Sequence, residues 1–352
     1  MSVSIKDVAR KAGVSPGTVS NVFSGNRAVR PDLASRVRSA ATMLGYEPDR
    51  AASYLRGRKA RVIAALVPDL NNPFFTGLLA AVESQARSEG LNIIVASSNG
   101  DQAEEKANLA ALLAWRPAGL VVIPSHDEFA ARTLISRAGV PFVVADRVPA
   151  HFAGDAVTVD NVDAGRQAAE HLVNLGHTKV VVAASTLRLQ NIRERCEGIE
   201  SVFVSRGLTA PTLIEAGLDF DTATERLAEF MQGAGRPTAF LALTNFGTLG
   251  ILATLQKWGL RVPQDISVLG FDDYSWMKAV VPPLTAIRQP VADMGAEIWR
   301  RLRARIGHGD ELGARVKLRC ELVVRASTSP PPTVKPEKGE VGRKRMGSKK
   351  AA

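Results

Sequence analysis

Four groups of polar residues stand where apolar, β-branched runs end. Asp69, Asn71 and Asn72 follow the run at 62–67, Asp146 and Arg147 follow 142–145, Thr244 and Asn245 follow 239–243, and Asp272 and Asp273 follow 266–270. A carboxylate or guanidinium at such a place can hold two neighbouring hydroxyls or an ionised group, and an amide both donates and accepts. Phe74 and Phe75 stand beside the first group and can supply an apolar wall. This is the chemistry of holding a small polyhydroxylated or acidic molecule. The same residue types also cap helices and build loops, and at each single position that alternative stays open.

Covalent chemistry has less to work with. No GxGxxG follows the first run, and neither a Walker loop nor a GxSxG elbow is present. His126, His151, His171, His177 and His308 show no HExxH or other ligand spacing, and His177 in LGHTK reads as a structural turn residue. Cys196 and Cys320 lie far apart without a CxxC and read as buried small residues. The expectation is a protein that is not an enzyme, with no catalytic residues, no cofactor and no metal.

A second constellation sits at the N-terminus. Ser4 and Asp7 have the spacing of a capping box, and Ile5, Val8, Ala9 and Ala12 make one helical face that Gly13 ends. Ser15 is placed to cap a second helix with Pro16 at its first position and Val19, Val22 and Phe23 on its buried side. A third helix follows Pro31 and ends at Gly45. Two helices joined by so tight a turn form a helix-turn-helix, although a plain helical cap on a larger domain has the same pattern.

Charge decides between them. Residues 1–61 hold twelve Lys or Arg against four acids, a balance of +8, and residues 327–352 hold seven against two, +5; since the whole chain carries +10, the stretch between is at −3. A basic unit on a faintly acidic body is the footprint of a domain that meets phosphates. Arg56, Arg58, Lys59 and Arg61 continue it into a linker, to touch a DNA backbone or to keep the connector solvated.

The elements that must position the polar groups come from the alternation after residue 61. Short apolar strands separated by helical stretches at 74–85, 103–114 and 129–138 repeat after Asp160, with helices at 164–175, 192–205, 222–231 and 248–258. That is βαβ order, and the expected fold class is α/β: two doubly wound parallel-sheet units in tandem behind the helical headpiece. A helix at 294–306 and apolar segments at 316–318 and 322–324 follow, and the Pro-, Lys- and Gly-rich remainder reads as disordered. No run approaches a membrane span, and the N-terminus lacks the features of a signal peptide, so a cytoplasmic protein is expected.

The segments DVARKAGVSPGTVSNVF, YEPDRAASYL, VTVDN, LGH, GLRVPQDISVLGFDD and PPLTAIRQP, in this order from about Ser4 to Arg325, resemble the lactose-repressor/galactose-repressor family of bacterial transcription regulators. The resemblance implies a headpiece at 1–48, a hinge helix and linker at 49–60, and a periplasmic-binding-protein-like body at 61–325. Within the body it implies an N-subdomain at about 61–160 and 290–318 and a C-subdomain at about 161–289 and 319–325, with crossovers near Asp160, Gln289 and Leu318. A basic tail at 326–352 remains outside.

Carried over by position, Arg195 in RERCEGI is the effector-binding arginine, Asp272 the effector-binding aspartate, and Phe74 or Phe75 the pocket wall. Asn72, Arg147, Asn191, Thr244 and Asn245 complete the expected effector set. Thr244-Asn245 replaces the family's Asn-Asp pair, and Asn191 stands where Thr or Ser is frequent, which leaves the ligand open between a sugar, a sugar acid and a phosphate. Arg193 with Arg147 and Arg195 permits the last two, unless it is only a salt-bridging helix residue.

On the DNA side the expected contacts are Ser15, Pro16, Gly17, Thr18, Ser20 and Asn21, with Leu55 as the hinge leucine that wedges into the minor groove and Arg56 beside it. Pro16 and Gly17 carry no long side chain, so base readout falls to Asn21, Thr18 and Ser20. The implied function is operator binding as a homodimer, with a tetramer as the alternative, under control of a small polar effector, with repression the family's commoner habit. The competing readings are a cytoplasmic small-molecule binder or an enzyme on the same fold without a DNA role.

Overall fold

The computed structural model divides into two compact units, Met1–Ala60 and Arg61–Ala352. Within them it describes residues 3–24, 27–46, 60–233, 235–307 and 313–332.

In the first unit, α1 (Ile5–Ala12) opens on a complete capping box. Ser4 accepts the Asp7 N–H, and the Asp7 carboxylate accepts the Ser4 N–H at 3.0 Å. Gly13 ends the helix at φ +64, the left-handed region that favours glycine. A Cβ there would also lie 2.8 Å from Arg36 Nη2, which donates to the Ala12 carbonyl at 2.6 Å and so ties the turn to α3 (Pro31–Leu44). Between them α2 (Pro16–Ser24) is capped by Ser15, whose Oγ accepts the Thr18 N–H at 3.1 Å. Val8, Ala9, Ala12, Val19, Val37, Ala40 and Ala41 form the core, and their small size lets three short helices approach closely.

Gly17 is not needed for space, because an added Cβ would meet its nearest neighbour, Ser15 Oγ, at an ordinary 3.6 Å. Gly17→Ala is therefore expected to stabilise α2 by about 0.5 to 1 kcal/mol, the usual entropy cost of a helical glycine. Slower amide exchange along α2 would show it; faster exchange would mean the position is constrained in another way.

The second unit runs in chain order through β1 (Ala60–Val67), α4 (Pro73–Ser88), β2 (Asn92–Ser97), α5 (Gln102–Ala114), β3 (Pro117–Val122), α6 (Arg132–Ala138), β4 (Phe142–Ala145) and β5 (Ala156–Val159). It continues with α7 (Asn161–Asn174), β6 (Val180–Ala184), α8 (Gln190–Ser205), β7 (Thr212–Glu215), α9 (Phe220–Gln232), β8 (Ala239–Ala242), α10 (Asn245–Lys257), β9 (Ser267–Phe271), α11 (Ser275–Ala279) and β10 (Thr285–Arg288). It closes with α12 (Val291–Gly307), β11 (Arg315–Leu318) and β12 (Glu321–Val323). One sheet has the order β11-β5-β4-β3-β1-β2 and the other β12-β10-β9-β8-β6-β7. The pairs β1–β2, β3–β4, β4–β5, β6–β8 and β8–β9 are parallel, and β12 joins β10 antiparallel.

The chain passes between the sheets three times: after β5, after β10 and between β11 and β12. Helix α12 accordingly packs on α4 and on β3, β4 and β5 of the first sheet. In the second subdomain α7 and α8 lie backbone to backbone, since a Cβ on Gly165 would sit 2.1 Å from the Arg195 carbonyl oxygen and one on Gly198 2.0 Å from that of Val162.

Two expectations are corrected. Helix α6 starts at Arg132 rather than at Phe129, because Phe129 has φ +39 and turns its ring into the core. The tail expected from residue 326 is packed over its first residues. Val268 donates to the Ser327 carbonyl at 2.8 Å, Ser327 Oγ donates to the Val268 carbonyl at 2.6 Å, and the Ser329 N–H reaches Ser267 Oγ at 3.0 Å. Hydroxyls substitute here for the apolar run that would have marked a strand.

His177 fastens the same segment. Its Nε2 donates to the Ser329 carbonyl at 2.8 Å while Nδ1 meets Thr238 Oγ1 at 2.9 Å, and His171 Nε2 meets Thr328 Oγ1 at 2.9 Å. Burial holds both imidazoles below the ordinary value of 6.5. A lowered histidine contributes stability that is complete above 6.5 and is lost as pH falls through its folded value. Melting temperature should therefore fall on acidification from about pH 7 to about pH 5, and less steeply in His177→Gln; equal slopes would remove His177 from the account.

Candidate functional site

The parallel strands of both sheets end at a cleft that contains a cavity of about 320 Å³, at the small end of ligand sites. Asn72, Phe74, Phe75, Asp146 and Arg147 line it from the first subdomain, and Asn191, Arg195, Thr244 and Asp272 from the second. Gln289, at the second crossing, lies beside them.

Local backbone explains how the carboxylates arrive there. Asp146 and Asp272 follow β4 and β9 with φ of +56 and +83, a conformation that Asp tolerates better than most residues and that turns the chain sharply at the strand end. Asn72 caps α4 through the Phe74 N–H at 3.0 Å, which sets the two phenylalanines in the first turn of that helix.

Arg195 is buried and held on three sides. Its Nε donates to Asn161 Oδ1 at 2.9 Å, Nη1 donates to the Leu243 carbonyl at 2.7 Å, and the guanidinium lies 3.9 Å from the centre of the Phe271 ring. Asp272 accepts from Gln289 Nε2 at 2.6 Å. Asp146 Oδ2 accepts from Asn191 Nδ2 at 3.4 Å, and the Arg147 guanidinium sits 5.4 Å from the Phe75 ring centre. Among the described residues, Asp146 Oδ1, Gln289 Oε1 and Arg147 Nε are buried with no hydrogen-bond partner. Burial pushes both carboxyls above the usual carboxylate range, an effect that the nearby Arg195 charge partly offsets. Burial likewise lowers Arg147.

Other expected residues have different work. Asn245 is outside the cavity lining: it is buried in the first turn of α10 and accepts from Trp276 Nε1 at 3.3 Å, because α10 starts three residues earlier than the apolar pattern suggested. Thr244 lines the cavity and also caps α10 through the Gly247 N–H at 3.2 Å. Asp273 is drawn away by Arg288 and Arg325, at 2.7 and 2.6 Å. Asp160 caps α7. Arg193 is not in the lining and pairs with Asp127. Cys196 is half-buried rather than buried. Among the described residues no cluster of His, Cys, Asp or Glu could hold a metal ion.

The sequence reading missed Gln289 and Phe246 in the lining, and with them Asn99, Ser185, Leu189, Ile192 and Asp219. Gln289 follows β10, whose apolar run is only Ala286 and Ile287; recognising that strand would have pointed to its polar successor.

In the headpiece Ser15, Pro16 and Gly17 are exposed at the start of α2, while Thr18, Ser20 and Asn21 are half-buried along it. Ser15 Oγ and Thr18 Oγ1 lie 3.0 Å apart, so part of their hydrogen-bonding capacity is spent on the cap. Leu55 and Arg56 lie outside the described residues.

Fold and site together define a class: a two-subdomain ligand-binding body joined to a helix-turn-helix unit. The model of bacterial regulatory proteins of the lacI family matches residues 4–49, and that of the periplasmic binding protein-like domain matches residues 169–328. The chain is similar to the HTH-type transcriptional repressor PurR of Haemophilus influenzae (strain PittEE), 31% identical over 92% of this chain and 98% of that protein. It is also similar to the lac repressor dimer solved bound to operator and the anti-inducer ONPF, with 27% identity, TM-score 0.82 and coverage of 94% and 100% of the two chains. A complex of the transcriptional regulator CelR with cellobiose gives 26% identity and TM-score 0.70 over 92% and 99%. The chain belongs to the lacI family: it is a transcription regulator with a DNA-binding headpiece, and not an enzyme. No described helix is long and apolar enough to cross a membrane.

Proposed function

We propose that this regulator binds a palindromic operator in the cytoplasm as a homodimer and represses until a neutral, hydroxyl-rich small molecule occupies the cleft. Two headpieces related by a two-fold axis read two half-sites, where one carries too few base-reading side chains to be selective. Ser15, Pro16, Gly17, Thr18, Ser20 and Asn21 are assigned to the DNA face, and Leu55 and Arg56 to the minor-groove contact.

The observation that carries the ligand class is the unpaired inventory of the cavity. Two acceptors, Asp146 Oδ1 and Gln289 Oε1, stand against one donor, Arg147 Nε. Asp69, Asp146, Asp219 and Asp272 line the cavity against Arg147 and Arg195. A neutral sugar brings the hydroxyl donors that the two acceptors require, and Phe74, Phe75 and Phe246 offer apolar surface to its C–H faces. A sugar acid or phosphate would add charge to a site already richer in carboxylates, and Arg193 is not there to receive it.

A thermal-shift panel of neutral pentoses, hexoses and disaccharides, their aldonic, uronic and phosphorylated forms, and purine bases tests this, because a ligand that binds the native state raises its melting temperature. Stabilisation by a neutral sugar alone is expected. A larger shift with an acid, a phosphate or a base would overturn the ligand class.

A further inference from the structure

Helix α8 begins without a cap from its own subdomain. Leu189 occupies the N-cap position and makes no side-chain capping bond. Asp127, in the loop after β3 of the other subdomain, supplies it instead. Its Oδ1 accepts the Gln190 N–H at 3.0 Å, and its Oδ2 pairs with Arg193 Nη2 at 2.5 Å. Arg193 is itself fixed by donating to the Leu187 carbonyl at 2.7 Å and to Gln190 Oε1 at 2.6 Å. A carboxylate at a helix N-terminus meets both an unsatisfied N–H and the positive end of the helix dipole.

The same helix turns its other flank to the cavity, where Leu189, Asn191, Ile192 and Arg195 line the wall. Other polar contacts across the cleft are long: 3.4 Å from Asn191 on this flank to Asp146 and, away from α8, 3.5 Å from Tyr274 to Asn72. The cross-cleft bonds of Asp127 are shorter than both.

We propose that Asp127 is a clasp, a positioning residue that holds the two subdomains closed by capping α8 across the cleft. Opening the cleft breaks the bonds of Asp127 to the Gln190 N–H and to Arg193, which keeps only its partners Leu187 and Gln190, so losing the clasp shifts the population toward the open form. Resting on the reading of the cavity as the effector site, the same shift lowers effector affinity by the fraction of closed molecules lost. Loss of one charged helix cap corresponds to about a fivefold change in the closed-to-open ratio.

Glu215 provides the control, because Oε1 accepts the Leu187 N–H at 2.7 Å and Thr186 Oγ1 at 3.0 Å, steadying the approach to α8 from within the second subdomain. The experiment uses the full chain with spin labels on Ser136→Cys and Glu225→Cys, exposed positions on α6 and α9, diluted into unlabelled protein and measured without added ligand. The native thiols label slowly near neutral pH, since burial pushes Cys196 up to about 11 and Cys320 up to about 12. Asp127→Ala is expected to lengthen and broaden the distance distribution while Glu215→Ala leaves it as in the parent. No change in Asp127→Ala, or an equal change in both, overturns the clasp. If Asp127→Ala opens the cleft but the ligand panel stabilises neither protein, the clasp stands and the effector reading fails.

Discussion

Gly165→Ala is expected to destabilise the body by about 3 kcal/mol or more, at the upper end of overpacking costs. The added methyl carbon would lie 2.1 Å from the Arg195 carbonyl oxygen, 2.9 Å from its carbonyl carbon and 3.1 Å from its Cα, all backbone atoms of a long helix. No rotamer change relieves such a contact, so α7 and α8 must separate. The separation moves Arg195 away from Asn161 and Leu243, the two partners that aim its guanidinium. Stability and ligand binding should therefore fail together. Gly77→Ala is the matched control: its Cβ would meet Val291 Cγ1 at 3.6 Å, and no loss is expected. Urea midpoints of the two variants check this, and a Gly165→Ala midpoint equal to that of the parent would show that the helices are not in backbone contact.

Asp272→Asn should have the opposite signature, preserving the fold while losing the ligand. Asn adopts the left-handed backbone found at this position, φ +83, and its carbonyl can still accept from Gln289 Nε2. Arg195 keeps Asp146 as a counter-charge. What disappears is a carboxyl oxygen that accepts from ligand hydroxyls, and a buried polar group left without its partner costs about 1 to 3 kcal/mol, so affinity should fall by about fivefold to a hundredfold. Burial raises the Asp272 pKa, so the stability linked to this group is complete below its unfolded value and is lost as pH rises through the folded value. Removing the carboxyl removes that loss, so the variant should gain on the parent as pH rises through the folded value, with melting curves as the check. A variant that melts lower at every pH would assign Asp272 to the fold instead.

Much of the architecture was legible because its carriers are local. The capping box of Ser4 and Asp7, the left-handed Gly13 and the Pro-led second helix write the headpiece almost residue by residue. The parallel strands are buried and read as apolar runs, which is why β1, β3, β6 and β8 stand out. β7 did not, because three of its four residues are exposed at a sheet edge. β10 did not, because Thr285 and Arg288 leave only Ala286 and Ile287 between them as an apolar run.

The cavity was legible to the extent that a strand end followed by a polar residue marks a cleft. That rule led to Asp146 and Asp272 but also to Asn245 and Asp273, because a polar residue after a strand is as well suited to the next helix's first turn or to an ion pair. Distinguishing them needs the long-range partners Trp276, Arg288 and Arg325, which no local pattern names. The Asp127 clasp was invisible for the same reason, since it joins residues 63 apart in sequence.

DNA binding by the headpiece is proposed to be governed by a ligand in the cleft. Fluorescence anisotropy of the DNA flanking the protein's own gene, titrated with parent and Asp272→Asn protein at two salt concentrations, with and without the sugar that gives the largest thermal shift, tests it most directly. A sequence-specific complex that weakens with salt in both proteins, and that the sugar dissociates only in the parent, is the predicted result. A complex indifferent to sequence, or one that the sugar changes equally in both proteins, would contradict it.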